Sequence, residues 1–507
     1  MVVRLPASRL AANVAKAAWA RPASVAVRGL ASPASDRMAV KGKPWSNPYP
    51  EDQFSVHPHN GFLPKDEPLE KLPEEYKEME SLLNRMSVKT KDGSPGLLAT
   101  GDFGAAVDAE LPEYDLSKLT PALYRDLTFV ASAYLLEPCN QQYKEDGTYG
   151  LGRQTLPRNI AVPLNEVAAK IGQRPFMEYA LSYALYNYKR IDKSKPLEYD
   201  NSELIRAFSG CPGEHGFILV HVAMVKHSGP LTAASMAALD AAAMGDRPAF
   251  DKAMQDMLAS YNTINQTMET MWGRSKPEAY MSYRTWIYGT KNQPMFPNGV
   301  IYEGVSDEPF KMRGESGAND SMVPLGDNLL EITAQMPTNP LTEVLRDFRT
   351  YRPRNHQSFI NYVQDRATAV GVRDFALKNA NSAAWYLANV DQIRQFRNRH
   401  WSFTKNYILK YTKHPVATGG SPIVTWLPNQ LDAVLQVMVE TDKVIDRNEL
   451  DPSLHQMVDE IGQRADAQQR VLRREVAALS QERGAQSVDV DGVEKGSPKA
   501  NESYAAL

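Results

Sequence analysis

Cysteine is scarce in this chain: of 507 residues only Cys139 and Cys211 carry a thiol. They can form at most one disulfide, and no Cys-x-x-Cys or mixed Cys/His spacing accompanies them. A disulfide framework and a thiolate zinc centre are therefore excluded, and a reducing compartment is expected. Long apolar runs are missing too, each falling short of the roughly 20 residues that span a bilayer. Charge of one sign does not dominate, since 57 basic and 60 acidic side chains leave a net −3. Nothing there calls for a nucleic-acid partner. No Walker loop, HExxH pair, GxSxG elbow or EF-hand loop occurs. Gly150-Leu-Gly152 lacks both a third glycine and a preceding strand, so nucleotide binding and the common hydrolase chemistries have no support.

The composition, 43% hydrophobic and 23% charged, is that of a globular chain long enough for two cores. The first 35 residues hold Arg4, Arg9, Lys16, Arg21 and Arg28 but no acid before Asp36. That pattern predicts a mitochondrial transit peptide over about 1–40, a cytoplasmic protein with a disordered basic tail being the alternative. A Pro-rich stretch from Lys41 to Pro73 reads as an extended arm, and its His57-Pro-His59 pair as loop surface.

Helical periodicity then dominates. Helices are expected over 74–86, 123–136, 164–191, 200–227, 230–243, 247–272, 325–335, 340–350, 355–366, 372–413, about 430–444 and 453–483, with 138–163 a polar loop. Strand-like alternation is nearly absent, which makes the fold all-α. Phe250, Met254, Met257, Tyr261, Ile264 and Met268 form a core stripe. The stretch 289–324 is a long irregular connection of the kind that carries function. The expected domains are a small N-terminal helical one over 41–200 and a larger one over 201–448, followed by a charged helix and disordered tail over 449–507.

Two histidines lie in apolar helical surroundings, His221 in "GFILVHVAMV" and His400 in "RNRHWSFTKNYI". His400 belongs to a stripe with Ile393, Phe396, Phe403 and Tyr407. A buried imidazole needs a partner, either a hydrogen bond inside the core or something that it ligates. Arg397, one turn before His400, favours the second, because a cation beside the ligand suits an anionic cofactor such as haem.

Six stretches carry a resemblance: "GFLPKDEPLEKLPEEY" (61–76), "LPRNIAVP" (156–163), "PNGVIYEG" (297–304), "YRPRNH" (351–356), "RNRHWSFTKNYI" (397–408) and "ATGGS" (417–421). In this order and spacing the chain resembles the indoleamine 2,3-dioxygenase family over about residues 50 to 445. The resemblance implies a haem b enzyme that uses O2 to open the indole ring of L-tryptophan to N-formylkynurenine, the first step of tryptophan catabolism through kynurenine. It implies that His400 is the proximal iron ligand, that Arg397 meets a haem propionate and that Asp327 holds this arginine. On the distal side it implies Tyr179, Ser182 and Tyr183 on one helix and Phe217 with His221 on another. By the same resemblance Arg284 is expected to receive the substrate carboxylate, with Tyr280 nearby. It further implies that Ser316 lies against haem and substrate, and that Thr418 with Gly419 closes over the substrate on a glycine loop free to move.

The chain departs from the family at His221, where a small hydroxyl residue is usual, and at Glu315 and Gly317, where Gly and Ala are usual. A monomer acting on a small indole, without nucleic acid or membrane, is therefore expected. Two alternatives stand beside it. One is a haem-binding relative acting on another indole or as a sensor. The other is a helical scaffold whose tail helix recruits a partner.

Overall fold

The computed structural model describes residue 42 and residues 44–114, 121–336 and 339–483. The expected leader and most of the expected disordered tail lie outside the described residues.

Regular structure is almost wholly helical. The principal helices are α1 (Lys77–Met86), α2 (Phe103–Glu110), α3 (Pro121–Asp146), α4 (Arg158–Ile171), α5 (Pro212–Val225), α6 (Ser228–Met244), α7 (Arg247–Glu269) and α8 (Pro277–Arg284). They continue with α9 (Met322–Leu329), α10 (Pro340–Phe348), α11 (Arg354–Val370), α12 (Val372–Leu377), α13 (Ala380–Phe403), α14 (Ile423–Val444) and α15 (His455–Glu482). Among the described residues five short strands serve as clips: β1 (Thr155–Leu156), β2 (Tyr188–Arg190), β3 (Ser202–Leu204), β4 (Val300–Tyr302) and β5 (Ser306–Phe310). β4 pairs parallel with β1 and antiparallel with β5, while β2 and β3 form an antiparallel pair. The chain is all-α, as its periodicity predicts.

The scaffold of the site is a helical layer in which α13 packs against α7 on one side and α14 on the other, with α15 laid over α14. The apolar stripe of α7 is buried along its length, from Phe250 to Met268. Polar ties fix its register against α13. Asn265 Nδ2 donates to the Gln392 carbonyl at 3.1 Å, and Asn389 Nδ2 to the Met254 carbonyl at 2.9 Å. Both asparagines are buried, so each such bond fixes one alignment of the two helices. The N-terminal arm lies on α11, with Phe54 and Phe62 edge-on to His356 at 5.3 and 4.9 Å. One continuous apolar cluster runs from Phe54 to Val476.

Several expected boundaries move, each for a local reason. The helix expected over 164–191 ends at Ile171, where Gly172 takes a left-handed φ of 68°. Past that point Glu178 caps a separate wide turn, Tyr179–Tyr183, and β2 follows. The helix expected over 200–227 begins only at Pro212, since proline at the first position starts helices readily. Residues 138–146 continue α3 through Pro138 instead of forming a loop, because Cys139 and Asn140 are buried. The span 372–413 is interrupted at Asn379, whose side chain accepts the Ser382 amide at 3.1 Å and starts α13 afresh.

Candidate functional site

A cavity of about 1010 Å³, counted out to its open mouth, lies between α5, α7, α8, α13 and the start of α14. Its walls are mainly apolar, with Met224, Met268, Met271, Phe396, Phe403 and Trp426 contributing. Two histidines line it, His221 from α5 and His400 from α13.

His221 Nδ1 lies 2.8 Å from the Phe217 carbonyl, one turn back on the same helix. A carbonyl only accepts, so Nδ1 carries the hydrogen and Nε2 keeps a free lone pair. Nε2 faces the cavity near Gly317, at which an added Cβ would come within 3.7 Å of it. Phe217 and Tyr179 both meet the imidazole edge-on, at 4.9 and 5.6 Å between centroids. Burial pushes His221 down to about 4, so the ring is neutral at pH 7.

His400 is likewise pushed down to about 4, by burial first and then by His221 and Arg397. Its carbonyl accepts from the Thr404 hydroxyl at 3.1 Å, but its ring hydrogen-bonds no described residue. A neutral imidazole with an open nitrogen donor is what an iron centre takes. Among the described residues no group of three or more His, Cys, Asp or Glu can hold a metal ion.

Arg397 runs behind His400 and donates from Nη2 to Asp327 Oδ2 at 2.7 Å. Arg349 donates to the same oxygen at 3.3 Å. Two guanidinium groups thus share one carboxylate, and Arg397 Nη1 and Arg349 Nε, both buried, have no hydrogen-bond partner. Burial, with Arg397 adding to it, pulls Arg349 below the ordinary arginine range. The cluster carries one positive charge too many for its surroundings, and an anion docked there would satisfy it. The donor set and the surplus cation fit a haem carrying propionates.

The opposite rim is built from loops. Thr418 Oγ1 donates to the Glu315 carbonyl at 2.9 Å, Arg313 Nη1 to the Gly419 carbonyl at 2.9 Å, and the Gly289 amide to the Thr418 carbonyl at 2.9 Å. An added Cβ at Gly419 would stand 2.5 Å from the Phe348 ring, and Gly420 has φ 81°. These glycines answer to close packing and a left-handed turn.

Of the residues singled out from sequence, Phe217, His221, Tyr280, Ser316, Thr418 and His400 all line the cavity. Tyr179, Ser182 and Tyr183 are buried but lie outside the lining. Arg284, Gly419, Arg397 and Asp327 are also outside it. Arg284 is completely buried, its Nη2 donating to the Val416 carbonyl at 3.2 Å and its guanidinium lying 4.8 Å from the Tyr288 ring. Its Nε and Nη1 have no hydrogen-bond partner. Arg349 was not foreseen. It sits in "FRTYRPR", three arginines and a proline within seven residues, and no local pattern marks it as the one that reaches Asp327.

A family model described as indoleamine 2,3-dioxygenase matches residues 50–448. Indoleamine 2,3-dioxygenase 1 of Rattus norvegicus is 28% identical over 366 residues, which cover 71% of this chain and 85% of that protein. A 6-hydroxytryptophan 2,3-dioxygenase of Fusarium equiseti is 25% identical, over 71% and 85% of the two chains. A protein named myoglobin from Haliotis madaka is 27% identical, over 63% and 81%. With the family model spanning most of its length and the paired histidines facing one cavity, the chain belongs to the indoleamine 2,3-dioxygenase family, haem-dependent oxidoreductases of indole substrates.

Proposed function

We propose that this chain binds haem b through His400 and oxidises L-tryptophan to N-formylkynurenine. The observation that carries this reading is the pairing of two neutral imidazoles in one apolar cavity, one of them backed by a cation cluster with surplus charge. Haem, when bound, supplies the activation of dioxygen.

The chain's own residues do the rest. His400 offers a nitrogen donor, and Arg397 with Arg349 offers the anion partners. His221 Nε2 can accept only, which suits it to receive the indole N–H and so to fix the ring's orientation. Phe217 and Tyr280 supply the flat apolar walls that hold an indole. Thr418, tied to the Glu315 carbonyl, closes the rim against water. Arg284 brings a buried guanidinium with two open donors to the side of the Val416–Thr418 segment, and a carboxylate reaching it would be held by a charge-assisted fork.

The test is direct. Purified protein reconstituted with haem should show a Soret band that shifts on adding tryptophan, and with reductant and oxygen it should form N-formylkynurenine, read by its ultraviolet absorbance. Absence of a Soret band would end this reading.

A second reading is supported by His221 and by the names of two relatives: a haem protein that binds oxygen without tryptophan turnover, or one that takes a substituted indole. A Soret band with no product from tryptophan would favour it. The scaffold alternative loses its main support, because the apolar face of α15, with Val458, Ile461, Ala465, Leu472 and Val476, is already buried against the body.

A further inference from the structure

One carboxyl in the cavity has no task in the reading above. Glu315 is 2% exposed, lines the cavity beside His221, Tyr280 and Thr418, and its Oε1 is buried without a hydrogen-bond partner. No cation faces it. Arg313, two residues away, is committed to Asp347 at 2.7 Å and to the Gly419 carbonyl, and Lys291 is held by the same Asp347. A buried acid with an open oxygen in an apolar wall costs free energy unless something arrives to meet it.

Its position narrows what that is. The Glu315 backbone is bound by Thr418, and Arg284 is bound to Val416, so both groups are anchored on one three-residue segment. Tyr280, which lines the cavity, feels Arg284 and Glu315 together. A buried cation and a buried acid, each with an unmet hydrogen-bonding atom and both set around one aromatic wall, match the two charged ends of an amino acid.

We propose that Glu315 receives the α-ammonium group of an amino-acid substrate whose carboxylate Arg284 holds. This rests on the reading of the cavity as the indole site. The step is an ion pairing, with the proton accounted for as follows. Burial first and Glu178 second push Glu315 up to about 8, so without ligand it holds its proton at pH 7. The incoming ammonium stabilises the carboxylate, and the proton leaves to solvent. Of the other groups facing it, only Glu178 titrates near neutral pH. Burial drives Tyr179, Tyr183 and Tyr280 upward and His221 and His400 down to about 4. Glu178, at about 7, is held by the Ala180 and Leu181 amides.

The experiment compares three ligands on the haem-loaded enzyme: L-tryptophan, tryptamine, which lacks the carboxylate, and indole-3-propionate, which lacks the amine. Glu315→Gln should weaken tryptophan and tryptamine on the order of tenfold and leave indole-3-propionate unchanged. Arg284→Ala should weaken tryptophan and indole-3-propionate and spare tryptamine. In wild-type enzyme at pH 7, calorimetry in two buffers of different ionisation enthalpy should record proton release with tryptophan and tryptamine and none with indole-3-propionate, a readout that needs no variant to fold. Equal weakening of all three ligands by Glu315→Gln, or binding without proton release, overturns the ammonium assignment while the indole site stands. Failure of all three ligands to bind wild-type enzyme overturns the indole site itself.

Discussion

The two walls of the cavity are made differently. The His400 wall is a single regular helix, α13, braced by α7, α14 and α15, with its polar residues tied by named bonds at Asn265, Asn389 and Asp327. The His221 wall joins one turn of α5 to the 315–317 and 417–422 segments, which belong to no long element. A continuous helix fixes a donor atom in one place, as a cofactor requires. Loops pinned at a few carbonyls can change side chains without moving that donor, and the departures at His221, Glu315 and Gly317 all fall on this second wall. The comparison teaches that cofactor and substrate are read by separable parts of the chain.

The largest expected effect breaks the first wall at its centre. His400→Ala should abolish haem retention, measured as haem per protein after gel filtration, while His221→Ala should keep the haem. Loss in both variants would erase the distinction between the walls.

Removing the shared carboxylate comes next. Asp327→Ala leaves Arg397 and Arg349 buried against each other, a change that costs about 3–5 kcal/mol for a broken buried pair. Urea unfolding of the haem-free protein should show this loss, and added haem should recover part of it if the propionates take the carboxylate's place.

Acid should weaken the fold through His356, which is 1% exposed and pushed down to about 3 by burial and by Arg352. Its folded pKa lies below the unfolded value of 6.5. The unfolded chain therefore binds the extra proton, and stability falls as pH drops from 6.5 toward 3. The slope reaches about 1.4 kcal/mol per pH unit for this one group. Unfolding midpoints at pH 7.5 and 5.5 check the sign, and His356→Gln should reduce the difference, the part that remains coming from the other buried histidines, His221 and His400 among them.

The smallest effect belongs to the outer brace. Glu475 on α15 accepts from Trp401 Nε1 at 2.8 Å and pairs with Lys405 at 2.6 Å, two residues that follow His400 in sequence. Both members of the ion pair are about a third exposed, so Glu475→Ala should cost under about 1 kcal/mol and leave the Soret band where it was.

Much of this was legible in the chain, because apolar spacing reports helices directly. The stripe of α7 and the histidine in the stripe of α13 follow from periodicity alone. Helix ends were less legible: Pro138 and Pro428 lie inside helices that tertiary burial sustains, and the Asn379 cap hides in a stretch without glycine or proline. In the site, the histidines stood out as polar residues in apolar runs. Arg349 and the buried setting of Arg284 gave no such signal, since arginines in polar neighbourhoods look alike whether they end in solvent or in the core.

By itself, the sequence determined that this is an all-helical chain with two imidazoles on apolar faces, for periodicity and residue type are local properties. Only the tertiary structure decided that those imidazoles share one cavity, that one carboxylate serves two guanidinium groups, and that Glu315 stands without a partner. Each of these depends on distances between segments far apart in the chain, and such distances are set by how the helices pack and not by any one helix.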